Sequence, residues 1–255
     1  MHKVIGAVLS ILVFAAALPA AALAKSVEPV ARQDEADFVE ANVLGIFYHE
    51  LGHAAIFAEG VPIFGQEEDA ADVFSILMID ALYDEETAQS LAADASFGFA
   101  GEAEARDKED DDVAWWDVHG PDEQRYYNTV CLFYGGDPDN RQDFAEALEL
   151  PEERADGCAE EYAQASESWG AVLDDMTEIS GRAVMTFSAT RDSAAARILR
   201  AEVDQLNSEL RLSIPIAVSV EPCGEANAFF DPETSKIVFC SEFEDHLHEV
   251  YQLLE

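Results

Sequence analysis

The stretch from Asp37 to Glu59 constrains the fold more than any other part of this 255-residue chain. Phe38, Val43, Leu44, Phe47, Leu51, Ala54 and Phe57 recur along it at helical spacing. Gly60 tolerates the left-handed backbone that ends a helix, and Pro62 cannot continue one. The helix so bounded is apolar almost all round, which a chain tolerates by burying it. Yet it carries His49, Glu50 and His53. Polar side chains in such a helix cost several kcal/mol if they find no partner, so the fold must bring partners to them.

These residues form the pentapeptide His49-Glu50-Leu51-Gly52-His53. Two imidazoles at i and i+4 project from one side of a helix and can grip one zinc ion. The Glu after the first His can poise an activated water for attack on a carbonyl. A five-residue pattern also arises by accident, and a hydrogen-bonded core His pair would use the same spacing. The flanking sequence therefore carries the weight. A second helix reads from about Gln66 to Tyr83, with Val73, Phe74, Leu77, Met78 and Leu82 apolar. Catalytic zinc takes three protein ligands and keeps one position open. Glu68 is the expected third ligand, with Glu67 or Asp69 as substitutes. Asp72, one turn on, shares the face of Glu68 and can accept the N–H of a liganding His, fixing its tautomer. The same acidic run would also suit an ordinary first helical turn facing the helix dipole.

HELGHA at 49–54 followed by EEDAAD at 67–72 resembles a bacterial family of unknown function, catalogued as candidate metallopeptidases and grouped with the gluzincins. Gluzincins are zincins whose third ligand is Glu. WWDVHGPDEQRYYNTVCLFYGGDP (115–138) and CGEANAFFDP (223–232) are similar to later segments of that family. The resemblance implies a zincin-like helical core, Zn2+ as the metal, and a peptide or protein as substrate. Phe230 stands where such a protein is expected to carry Tyr, so no hydroxyl role is assigned there.

Met1 to Ala24 has a short basic start, an apolar run from Val4 to Leu18, and Ala22-Leu23-Ala24 before Lys25. This is the pattern of a cleaved export signal, and the apolar run is short for a stable membrane span. A periplasmic or secreted protein without membrane association after cleavage is expected. Four cysteines in an exported chain fit two disulfides. Of three possible pairings, Cys131–Cys158 with Cys223–Cys240 is the most economical, each bond closing a compact local unit worth about 3 kcal/mol. The formal net charge is −39, from 53 Asp and Glu against 14 Lys and Arg. Such a surface repels anionic membranes and nucleic-acid phosphates, so no nucleic acid is expected as a partner. The run Asp107 to Asp112 lacks the Gly and terminal Glu of an EF-hand loop and reads as an acidic loop rather than a calcium site.

Residues 25–35 read as an exposed leader, 36–181 as a helical lobe with the metal site, and 182–255 as an α+β lobe of the same domain. Glu85 to Arg106 has helical composition, but Gly98 and Gly101 predict a break. Helices are expected from Pro121 to Phe133 or Tyr134, from near Asn140, and from Pro151 to Met176. A strand at Val184–Phe187, an amphipathic helix at Ser193–Leu210 and a β-rich run at Ile214–Val220 follow. Ala226–Phe230 and Lys236–Cys240 flank Asp231-Pro232-Glu233-Thr234 as a hairpin, before a terminal helix. The expected fold class is α+β: a helical core with a small C-terminal antiparallel sheet.

His119, between tryptophans and a helix start, is the further catalytic candidate, as a donor to a developing oxyanion. Arg125, Tyr126 or Tyr127 could serve instead, and the cluster could equally pack the fold. His246 and His248 read as surface residues, and a hairpin edge offers a place for an added peptide strand. Two functions compete. One is an exported zinc metallopeptidase in which Glu50 takes the proton of the attacking water. The other is a non-catalytic envelope protein with a structural metal or a partner-binding site.

Overall fold

The computed structural model describes residues 34–178 and 181–254. The expected export signal and all but the end of the expected leader lie outside these residues. The leader ends sooner than residue 35, because Asp34 already caps a helix. Its carboxylate accepts hydrogen bonds from the Ala36 and Asp37 N–H groups at 3.0 and 3.2 Å.

That helix, α1 (Glu35–Glu59), is the centre of the molecule. It ends at Gly60, whose φ of 66° is the left-handed conformation that favours glycine. Phe38, Val43, Phe47, Leu51 and Ala54 are fully buried. The elements α2 (Glu67–Leu82), α3 (Glu85–Lys108), α7 (Ala194–Glu209), α8 (Glu242–Leu253), β3 (Ala228–Asp231) and β4 (Lys236–Cys240) all pack on α1. Burial on every side follows from the all-round apolar sequence. Between α3 and β1 (Thr186–Ala189) come α4 (Asp122–Gly136), α5 (Gln142–Ala147) and α6 (Glu152–Thr177), and β2 (Ala217–Glu221) follows α7.

Helix α3 is continuous, which corrects the expected break. A Cβ on Gly98 would lie 1.9 Å from Asn42 Oδ1, and one on Gly101 would lie 2.3 Å from Val250 Cγ1. Both glycines serve close approach, of α1 and α8 respectively, and the helix bears their propensity cost of about 1 kcal/mol each. The helix also runs through Asp107 and Lys108, so the acidic loop starts later than its charge run.

The fold is α+β, with a four-stranded sheet ordered β1-β2-β4-β3. The late hairpin is antiparallel, Phe229 facing Val238. The sheet as a whole is mixed rather than antiparallel, because β1–β2 and β2–β4 are parallel. Helix α7 supplies the crossover that a parallel β1–β2 pair requires. The chain leaving β2 then passes to the far side, forms β3, and returns as β4 between the two. The Cys223–Cys240 disulfide ties that crossing loop to the end of β4, with a Cα–Cα distance of 5.3 Å. The order leaves β1 and β3 as the two edges.

Cys131–Cys158 joins α4 to α6. Two disulfides fit an extracellular or periplasmic protein. Among the described residues, no helix is long and apolar enough to cross a membrane. Between the helices and the sheet side, the buried Tyr48 hydroxyl donates to Glu202 Oε1 of α7 at 2.7 Å, and Tyr83 lies 2.9 Å from the same hydroxyl.

Candidate metal centre

Helices α1 and α2 cross at Gly52. A Cβ there would lie 3.1 Å from the Ala71 Cα, so the absent side chain lets the two backbones approach. This contact places the acidic first turns of α2 against the His49–His53 face of α1. Asp72 Oδ1 lies 2.7 Å from His49 Nδ1. Arg125 of α4 donates to both oxygens of Asp72, Nε to Oδ2 at 2.8 Å and Nη2 to Oδ1 at 2.7 Å. The guanidinium lies over the Phe99 ring, 4.3 Å from its centroid.

One carboxylate oxygen gathers three imidazoles. Glu68 Oε2 lies 3.1 Å from His49 Nε2, 3.2 Å from His53 Nε2 and 2.9 Å from His119 Nε2. His49 Nε2 and His53 Nε2 are themselves 3.2 Å apart. Each ring has its other nitrogen beside a carboxylate: His49 on Asp72, His53 on Glu67 Oε1 at 2.9 Å, and His119 on Asp117 Oδ1 at 3.3 Å. A carboxylate on Nδ1 fixes the tautomer that leaves Nε2 free to ligate.

Two donor triangles share the His49–Glu68 edge. His53 closes one with edges of 3.1, 3.2 and 3.2 Å. His119 closes the other, its three donor atoms lying within 4.8 Å of one another. Ligand bonds of about 2.0–2.1 Å to a tetrahedral zinc put donor atoms about 3.3–3.4 Å apart. The triangle closed by His53 comes close to that on every edge, so the donor set fits the metal.

The electrostatics favour positive charge at this point. Burial alone would lower the His49 imidazole, but hydrogen bonds to Asp72 and Glu68 outweigh it and raise the pKa to about 9. Hydrogen bonds from His119, His49 and His53 hold the Glu68 carboxyl far below the usual carboxylate range. Burial raises Asp72, and its bonds to His49 and Arg125 more than reverse this, so it too stays ionised.

Glu50 is 7% exposed and lines a cavity of about 300 Å³ together with His49, His119 and Arg125. Ile46, Ile76, Phe99, Phe243 and Leu247 supply apolar walls, and Asn227 and Ala228 bring β3 to its rim. Burial pushes the Glu50 carboxyl up, while the nearby His49 and His53 and a hydrogen bond from the Phe230 N–H act downward. At Phe230 it is thus the backbone that addresses the site.

The structure brings His49, His53, Glu68, Asp72, Glu50, His119 and Arg125 together. It does not bring Tyr126, whose hydroxyl donates to Leu148 O at 2.9 Å, and Tyr127 packs edge-on against Tyr126. Glu67 orients His53, and Asp69 is exposed beside neither triangle. His246 lies 2.7 Å from Glu102 and His248 3.0 Å from Glu35, so both are half-buried hydrogen-bond partners of carboxylates rather than free surface groups. Sequence reasoning missed the Asp117–His119 pair and the Arg125–Asp72 clamp. The former had a visible signal, an acid two residues before a His. The latter had none.

The helices and this cluster define an α+β protein with side chains grouped so that they can bind a metal ion. The family described as "Putative metallopeptidase" matches residues 16–173 and 189–254, and the chain belongs to it. Membership implies a metal and a protein or peptide substrate. No curated protein and no solved structure gives a significant match.

Proposed function

We propose that this chain is an exported zinc-dependent peptidase in which His49, His53 and Glu68 hold the ion, Asp72 orients His49, and Glu50 is the general base. One observation carries the reading: the near-equilateral triangle of His49 Nε2, His53 Nε2 and Glu68 Oε2, with edges of 3.1–3.2 Å, beside a buried Glu50. Zinc, when bound, supplies Lewis-acid polarisation of the scissile carbonyl and makes water a stronger acid. Glu50 accepts the proton of the attacking water at its carboxylate and passes it to the leaving amine nitrogen. His119, carried on the loop before α4, is the donor assigned to the charge developing on the carbonyl oxygen.

The substrate backbone passes the start of the edge strand β3, where Asn227 and Ala228 line the cavity. One substrate side chain enters the cavity, and the walls of Ile46, Ile76, Phe99, Phe243 and Leu247 favour a bulky apolar one. Export rests on the pattern of residues 1–24, and the two disulfides support it.

The test is Glu50→Gln. It is expected to retain zinc and to lose peptide hydrolysis by at least about 100-fold. Hydrolysis equal to wild type contradicts the mechanism. The competing reading, a structural metal in a non-catalytic protein, draws on the nearness of His119 as a fourth donor. A wild-type protein that holds zinc and cleaves nothing in a broad peptide library would favour it.

A further inference from the structure

We propose that His119 is a fourth protein ligand of the metal in the resting protein, so that residues 109–121 must lift before a substrate reaches the centre. The inference rests on the metal centre proposed above. Its ground is a contact pattern shared by three imidazoles: each has Nδ1 beside a carboxylate, and each has Nε2 within 3.2 Å of Glu68 Oε2. His119 joins His49 and Glu68 in a triad whose donor atoms lie within 4.8 Å of one another, and it differs from the two helix-borne imidazoles in its exposure, 45% against 9% and 13%, and in the element that carries it.

That element differs in a way that matters. His49 and His53 belong to the buried α1, whereas His119 ends a segment that is exposed throughout 114–119. Trp115 and Trp116 are 80% and 86% exposed. The backbone hydrogen bonds of Trp115 and Asp117 close turns within the segment, onto Val113 and Ala114. A segment with so little buried apolar surface opens at low cost. Its contact through His119 is therefore the latch, and a closed four-ligand centre becomes an open three-ligand one when the loop moves. Freed from the resting position, the same imidazole is available as the oxyanion donor.

The test is zinc K-edge X-ray absorption on the zinc-loaded full chain, which counts imidazole ligands without reference to activity. Wild type is expected to show three and His119→Ala two. Trp115 and Trp116 give a second readout: zinc should change their fluorescence in wild type and not in His119→Ala, while the buried Trp169 provides a common background. Two imidazoles in both proteins overturn the latch. If that wild type nonetheless cleaves peptides, the peptidase reading stands and only the latch fails. A wild type that binds no zinc overturns both.

Discussion

Arg125 grips Asp72 with two parallel hydrogen bonds of 2.8 and 2.7 Å, and Asp72 in turn meets His49 Nδ1 at 2.7 Å. The chain of contacts fixes the ring of His49, one of the proposed ligands. Arg125→Lys keeps the charge but loses the planar fork. Zinc affinity is expected to fall about 10–100-fold, as for other changes to groups that orient a ligand. Competition against a chromophoric chelator measures it, with circular dichroism confirming an unchanged fold. Undiminished affinity would show that Asp72 needs no clamp.

Gly52 sets the distance between the helices that carry the proposed ligands, since its missing Cβ faces the Ala71 Cα at 3.1 Å. Gly52→Val forces a branched side chain into that crossing. Overpacking of this kind costs about 1–3 kcal/mol, and here it also moves Glu68 away from His49 and His53. Thermal melting and zinc titration should fall together. A variant that loses stability but keeps its zinc affinity would separate helix packing from the metal centre.

Glu202 is buried beneath Tyr48 and Tyr83. Burial raises its pKa above the ordinary value of 4.5, against the two tyrosine hydrogen bonds that lower it. Its stability contribution is therefore complete below pH 4.5 and is lost as pH rises through the raised folded value. Tyr48→Phe removes a donor to the charged form. Its cost should be smaller near pH 4 than at a pH well above the raised Glu202 value, where it should reach about 1–3 kcal/mol. Denaturant titrations of variant and wild type at the two pH values decide this, and a cost independent of pH would contradict it.

The Cys131–Cys158 bond spans 27 residues. Replacing both cysteines with Ser is expected to remove about 3 kcal/mol of stability in the chain-entropy account. Urea denaturation with both proteins at the same redox state provides the comparison. A loss below about 1 kcal/mol would mean that packing of α4 on α6 holds the pair without the bond.

The parts of this fold readable in the sequence were those fixed by neighbours. Helix α1 announces its end through Gly60 and Pro62, and the β3–β4 hairpin through Asp231-Pro232-Glu233-Thr234. Gly98 and Gly101 misled because a helix-propensity argument sees their local cost and not the Asn42 and Val250 side chains that demand them. The parallel β1-β2-β4 order was hidden for a similar reason: it depends on pairings between residues far apart in the chain. At the site, the i, i+4 spacing makes the His49–His53 pair plain, and the Glu68–Asp72 spacing makes a second helix face plain. The Arg125 clamp joins residues 53 positions apart, so no local pattern carries it.

The central claim is that a metal held by His49, His53 and Glu68 works with Glu50 to hydrolyse peptide bonds. The most direct measurement is peptide cleavage by the purified protein after chelation and again after one equivalent of zinc, run beside Glu50→Gln. The account predicts cleavage that vanishes on chelation and returns with zinc in wild type, and zinc uptake without cleavage in Glu50→Gln. Cleavage that survives complete removal of the metal, or that returns equally in both proteins, would contradict it.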